Sequence, residues 1–160
     1  MAFLHSRKVI HRDLKSANFV LDEEKKIRLV DFGSSAMIPS IGASITADEI
    51  VGSLPYLAPE VYGGTYGPAG DMFALGAIAM ELRTGSSPFS FAEFRLTGLL
   101  NNGVDVKTAA KRVQEEISQH AVIFPQRCSA QYEALAKQLL VTDTALRLDA
   151  AAAANHPFFE

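Results

Sequence analysis

Residues 71–82 constrain the fold of this chain more than any other stretch. Met72, Phe73, Leu75, Ile78, Ala79 and Leu82 are apolar, and no charged residue stands between Asp71 and Glu81. The spacing is helical and the apolar surface covers more than one face. A helix that is apolar on nearly all sides is a buried one. The run is too short to cross a membrane, which takes about 20 apolar residues. It must therefore sit inside a shell of other helices, and the chain supplies them. Helical patterns run over Phe91–Leu100, Ala130–Leu140 and Asp149–Ala154, and Lys107–His120 is amphipathic. Asp71 stands where a carboxylate can cap free N–H groups, and Gly85-Ser86-Ser87-Pro88 stops the central helix. The alanine run 150–154 predicts close helix packing in the core, since Ala is the best helix former and small residues let helices approach. A chain of 160 residues, 48% of them hydrophobic, has enough material for one core. At this size roughly 70% of the unfolded surface is buried on folding.

The first 70 residues read differently. Ala2, Phe3 and Leu4 are apolar and no capping residue precedes them, as in the last turns of a helix whose beginning lies upstream. Val9-Ile10 is a short extended segment. Phe19–Leu21 and Ile27–Val30 are short β-branched and apolar runs, and the polar Asp22–Lys26 between them predicts a hairpin. Residues 31–55 have little periodicity and many Gly, Ser, Pro and Thr. They predict one long loop, and loops beyond about 12–15 residues in a compact domain are usually functional. The expected fold is mainly α with one short β-hairpin.

Charge and cysteine content exclude several classes of function. Lys and Arg number 15 against 18 Asp and Glu, a net charge of −3. No basic excess is available to release counterions from a nucleic acid or an anionic membrane, so neither is an expected partner. The single cysteine, Cys128, rules out an internal disulfide framework and a cysteine zinc site, and reads as an ordinary thiol. His5, His120 and His156 have no metal-ligand spacing. Residues 1–12 lack the apolar stretch and cleavage site of a secretory signal, which makes a cytoplasmic location the default expectation.

The chemistry concentrates in two segments. His11-Arg12-Asp13-Leu14-Lys15-Ser16-Ala17-Asn18 lies between two extended runs and projects a carboxylate, an ammonium and an amide from one short loop. Asp13 can accept a hydroxyl proton, Lys15 can neutralise phosphate charge, and the amide oxygen of Asn18 is a hard ligand suited to Mg²⁺. Thirteen residues on stands Asp31-Phe32-Gly33, where Asp31 offers a second oxygen ligand and Gly33 lets the backbone turn. Alone, each is an ordinary turn residue. Together they form a phosphoryl-transfer constellation.

These segments, in this order and spacing, resemble the large C-terminal lobe of a protein kinase of the serine/threonine type. Ala58-Pro59-Glu60 resembles the end of the family's activation segment, Asp71–Gly76 its buried central helix, and Gly85–Phe89 the family's pattern just after that helix. Arg147 resembles the arginine that pairs with Glu60, and His156-Pro157-Phe158-Phe159 the end of the domain. The resemblance covers residues 1–160 as a partial kinase domain. It implies a catalytic loop at 11–18, an activation segment at 31–60 and a helical remainder at 61–160. It implies transfer of the ATP γ-phosphate to protein Ser or Thr hydroxyls, with Asp13 and Lys15 catalytic and Lys15, Asn18 and Asp31 holding ATP and Mg²⁺.

The same resemblance implies further roles. His11 would pack beneath the site and Arg12 would face the activation segment. Ser53, in Gly52-Ser53-Leu54-Pro55-Tyr56, would help dock the substrate. Glu60 and Arg147 would be a structural pair that braces the lobe, and Asp71 would be structural too, tying the catalytic loop to the central helix. Four positions before Ser53 the family often carries a phosphorylated residue; here Glu49 stands there. Two readings stand for its carboxylate: a solvated loop charge, the commoner case, or a partner for Arg12 that partly orders the activation segment without phosphorylation, with Ser44 and Thr46 as alternative phosphosites. The family's glycine-rich loop, strand lysine and helix glutamate have no counterpart in residues 1–160, so the β-rich N-terminal lobe is expected to come in cis or from a partner chain. Two other readings stand beside this one. A non-catalytic kinase lobe would serve as a binding or scaffold module, with exposed apolar surface. A small-molecule phosphotransferase is disfavoured by Arg12, the Ala58-Pro59-Glu60 closure and the long activation segment.

Overall fold

The computed structural model describes residues 1–160. In chain order its elements are α1 (Ala2–Ser6), β1 (Val9–Ile10), β2 (Phe19–Leu21), β3 (Ile27–Leu29), β4 (Ala36–Met37), β5 (Ile45–Thr46), α2 (Pro59–Tyr62), β6 (Thr65–Tyr66), α3 (Pro68–Thr84), α4 (Phe91–Asn101), α5 (Val106–Gln119), α6 (Ala130–Leu139) and α7 (Ala150–Ala154). Short 3-10 turns cover Ser16–Asn18, Leu54–Tyr56 and Pro157–Phe159. The strands form three separate antiparallel pairs, β1–β4, β2–β3 and β5–β6. No helix is long and apolar enough to cross a membrane.

The central helix α3 organises the core. Phe73 and Ala77 are fully buried and join Val61 and Tyr62 of α2, Ala92 and Leu96 of α4, and Val113 and Ile117 of α5 in one cluster. Gly76 brings α3 and α6 together: a Cβ there would lie 2.9 Å from Leu139 Cβ and 2.8 Å from Leu140 Cδ2. Gly85 ends the helix at φ 88°, a left-handed position that suits glycine. Two expectations for α3 are corrected. Asp71 does not cap it. The helix begins at Pro68 behind Gly67, and the Asp71 carboxylate points away to the loop after β1. Nor is α3 buried all round, because Leu82 is 78% exposed.

The peripheral helices begin where the side chains dictate. Asp105 Oδ1 accepts the Thr108 N–H at 3.0 Å, and Ser129 Oγ accepts the Tyr132 N–H at 3.1 Å. Asp149 Oδ1 accepts the N–H groups of Ala151 and Ala152. The alanine run is not core, contrary to expectation. Ala150 and Ala153 rest on Met72, Leu135 and Leu139, whereas Ala151, Ala152 and Ala154 are exposed.

The hairpin forms as expected, pairing Phe19 with Leu29 and Leu21 with Ile27. Asp22 Oδ1 accepts the N–H groups of Glu24 and Lys26 to close its turn. The segment 31–55 is not one structureless loop. β4 returns to pair with β1, Val9 opposite Met37, and β5 pairs with β6, Ile45 opposite Tyr66. Both pieces are two residues long, too short to show an alternating pattern in the sequence.

Candidate active site

The loop between β1 and β2 is anchored from below by one carboxylate. Asp71, 3% exposed in the first turn of α3, accepts the backbone N–H of His11 at 2.9 Å on Oδ2 and that of Arg12 at 3.0 Å on Oδ1. His5 Nε2 reaches Oδ2 at 2.9 Å from α1. The anchor holds Arg12 at φ 67°, a left-handed conformation that costs a non-glycine residue about 1–3 kcal/mol. His11 is fully buried, with Nε2 3.2 Å from the Val30 carbonyl and its ring edge-on to Phe32.

Above this anchor three side chains converge. Lys15 Nζ donates to Asp13 Oδ2 at 2.9 Å and to Ser53 Oγ at 3.2 Å. Ser53 Oγ donates to Asp13 Oδ1 at 2.7 Å. Residues 38 and 40 positions apart along the chain thus close a triangle. Burial pushes the Asp13 carboxyl up, but the bonds from Lys15 and Ser53 outweigh it and hold its pKa below the ordinary carboxylate value. The Lys15 ammonium is held above its usual value, chiefly by its bond to Asp13 and further by the charges of Asp13 and Asp31. Both groups are fully charged at neutral pH.

The hairpin register brings the Asn18 and Asp31 segments to the same end of the β2–β3 pair. Phe19 pairs with Leu29 and the Val30 N–H donates to the Asn18 carbonyl at 2.9 Å, so Asp31 follows directly on the residue bonded to Asn18. The Asn18 Nδ2 donates to the Asp13 backbone carbonyl at 2.9 Å, which fixes the amide and leaves its oxygen without a protein donor. Asp31, at φ 62°, accepts only the Gly33 N–H on Oδ1, at 3.3 Å. One amide oxygen and one carboxylate are hard donors that fit Mg²⁺, which takes few protein ligands and completes its shell with water and phosphate. No set of three His, Cys, Asp or Glu side chains converges anywhere as a metal site.

Glu60 and Arg147 pair as expected. Arg147 Nη2 is 3.0 Å from Glu60 Oε2 and Nη1 contacts Oε1. The guanidinium also donates to the carbonyls of Val141, Ala69 and Thr142 and lies 5.0 Å from the Phe73 ring centroid. Of the two readings of Glu49 the solvated charge holds, and the Arg12–Glu49 pair does not form. Arg12 Nε donates to the Ser34 carbonyl at 2.5 Å, and its guanidinium lies over the Tyr66 ring at 5.5 Å. A planar guanidinium is well served by an aromatic face, and the Glu49 side chain is exposed and makes no ion pair. Two tyrosines gave no sign of their roles in the sequence. Tyr56 Oη donates to the Glu81 carboxylate at 3.0 Å, and Tyr66 bonds to the backbone of the segment before Ser53. A tyrosine beside glycines or prolines carries no signal that would have marked either.

The helical body thus presents an aspartate–lysine pair, with an amide and a carboxylate at the ends of the neighbouring hairpin. The sequence pattern of the protein kinase domain family matches residues 1–159, and the chain belongs to that family. It is 34% identical over 99% of its length to protein kinase 3 of Dictyostelium discoideum. It is 31% identical over its whole length to the serine/threonine-protein kinase PDK1 of Cryptococcus neoformans. It is 32% identical, again over its whole length, to the serine/threonine-protein kinase RUNKEL of Arabidopsis thaliana. The chain spans only 17%, 12% and 11% of those relatives' own lengths.

Proposed function

We propose that the chain is the C-terminal lobe of an ATP- and Mg²⁺-dependent serine/threonine protein kinase. The observation that carries this reading is the Asp13–Lys15–Ser53 triangle, in which two loops meet at one ionised carboxylate. A substrate Ser or Thr hydroxyl donating to Asp13 is aimed by it at the γ-phosphorus. As the hydroxyl oxygen bonds to that phosphorus, the bond to the β–γ bridging oxygen breaks and ADP leaves with the electron pair. A carboxyl held below its ordinary pKa is a weak proton acceptor. Asp13 therefore acts mainly by orienting the hydroxyl, and takes its proton late. The Lys15 ammonium faces the transferred phosphoryl oxygens. Asn18 and Asp31 would hold Mg²⁺, which supplies charge neutralisation on the phosphates. The glycine-rich loop and strand lysine that the family uses would be supplied in cis or by a partner chain.

The test is transfer of labelled γ-phosphate from Mg²⁺-ATP to Ser- and Thr-containing peptides by the full-length protein. Transfer is expected, and Asp13→Asn is expected to lower it by at least about 10²-fold. Absence of transfer together with no Mg²⁺-ATP-dependent rise in melting temperature would replace this reading with that of a binding module.

A further inference from the structure

Tyr66 stands between the two loops that meet at Asp13 and touches both. It is 2% exposed and enters from β6, whose pairing with β5 puts it opposite Ile45. Its hydroxyl accepts the Val51 N–H at 2.7 Å and donates to the Glu49 carbonyl at 3.0 Å. One phenol oxygen thus satisfies two backbone groups of the segment leading to Ser53. The other end of the side chain meets the catalytic loop, where the Arg12 guanidinium lies over its ring at 5.5 Å. The path from each contact to the reacting carboxylate is short. Arg12 immediately precedes Asp13. Val51 is two residues before Ser53, with Gly52 between them at φ 112°. A side chain on Gly52 would run into the Arg12 carbonyl and the Leu57 side chain, so the two backbones touch at this point.

We propose that Tyr66 is a positioning residue that sets the spacing between the Asp13 loop and the Ser53 segment, and holds the activation segment in place with no phosphate group. Only tyrosine carries both devices at once: a flat face for a cation and, at the far end, an oxygen that donates and accepts. Burial raises the Tyr66 pKa, so the hydroxyl keeps the proton it donates to Glu49 throughout the neutral range. The ladder at β5 and the Ala47 N–H, which donates to the Gly64 carbonyl at 2.9 Å, fasten the same segment from the other side. The order that a Glu49–Arg12 ion pair would have supplied comes instead from one phenol and a two-residue ladder.

The substrate effect rests on the kinase reading; the effect on backbone order does not. Tyr66→Phe keeps the ring and removes only the hydroxyl. The measurement is amide hydrogen exchange over residues 45–55 of the full-length, dephosphorylated protein, with Tyr132→Phe as control. Tyr132 also donates to a backbone carbonyl, Ala79 at 2.6 Å, between α6 and α3. Tyr66→Phe is expected to speed exchange across 45–55 at least about tenfold, through the loss of both hydrogen bonds of the hydroxyl, and Tyr132→Phe to leave it unchanged. In the same preparations the KM for a peptide substrate is expected to rise severalfold in Tyr66→Phe, with the KM for ATP unchanged. Unchanged exchange in Tyr66→Phe, or an equal increase in the control, overturns the proposal whether or not the wild type transfers phosphate. A wild type without transfer but with the expected exchange difference leaves the positioning role intact and removes the kinase reading instead.

Discussion

At the scale of single residues, Asp13 is the carboxylate on which two loops converge. Its carboxyl lies below its ordinary value because Lys15 and Ser53 donate to the ionised form more strongly than burial opposes it. Such a group stabilises the fold at pH values above the unfolded carboxylate pKa, and that contribution is lost as the pH falls through the lower, folded value. Ser53→Ala removes one donor, so the Asp13 pKa moves up. The expected outcome is an acid unfolding transition that begins at higher pH in Ser53→Ala, seen in melting curves taken between about pH 2.5 and 6. A transition unmoved by the substitution would mean that Ser53 does not hold the carboxylate. The Arg147 guanidinium is fully buried and the Glu60 side chain is 16% exposed, so breaking this pair has a different signature. Arg147→Ala leaves a carboxylate without its partner and is expected to cost about 3–5 kcal/mol in denaturant unfolding. A Glu60→Gln/Arg147→Met double variant should recover part of that loss, because no charge is then left alone. The nearness of Asp13, Lys15 and Asn18 was legible in the sequence because all three stand on one short loop. Tyr66 was not, because its role exists only once residues 12, 49 and 51 are folded around it.

At the scale of elements, the longer helices and the first three strands were legible, and the last three strands were not. The expected spans 91–100, 107–120 and 130–140 agree with α4, α5 and α6 to within a residue at each end. Long apolar periodicity shows where such helices lie, and the side-chain caps at Asp105 and Ser129 fix where they begin. β4, β5 and β6 are two residues each and exist only through partners far along the chain, so no local pattern predicts them. The α3–α6 crossing shows the same limit. Gly76 looks like a mild fault inside a helix, yet it is the contact that lets α6 approach. Gly76→Ala would improve helix propensity, but it places a Cβ 2.9 Å from Leu139 Cβ and 2.8 Å from Leu140 Cδ2. Overpacking is expected to win, with a net destabilisation of about 1–3 kcal/mol by denaturant titration. A stabilised Gly76→Ala would show that α6 can withdraw without loss.

At the scale of the whole molecule, the apolar character of α3 divides between two destinations. Phe73 and Ala77 face the main core, while Leu75, Ile78, Ala79 and Leu82 line a groove of about 700 Å³ framed also by α1, the β2–β3 hairpin, α6 and the last residues. An apolar helix signals burial, but the sequence does not say what covers each face. Here Leu82 is 78% exposed, Ile27 70%, Leu21 67% and Phe159 64%. These side chains border one continuous apolar surface, of the kind that drives association when it meets water. The 160-residue chain is therefore expected to self-associate with rising concentration in sedimentation velocity. Leu82→Glu puts a charge into the rim of that surface and should return the chain toward monomer. Because Leu82 makes little use of burial, the melting temperature should change little, in line with the roughly 0.5 kcal/mol typical of surface substitutions. A sedimentation coefficient that is independent of concentration in the unsubstituted chain would count against the groove as the adhesive face. A large loss of stability in Leu82→Glu would show instead that this leucine is buried in solution.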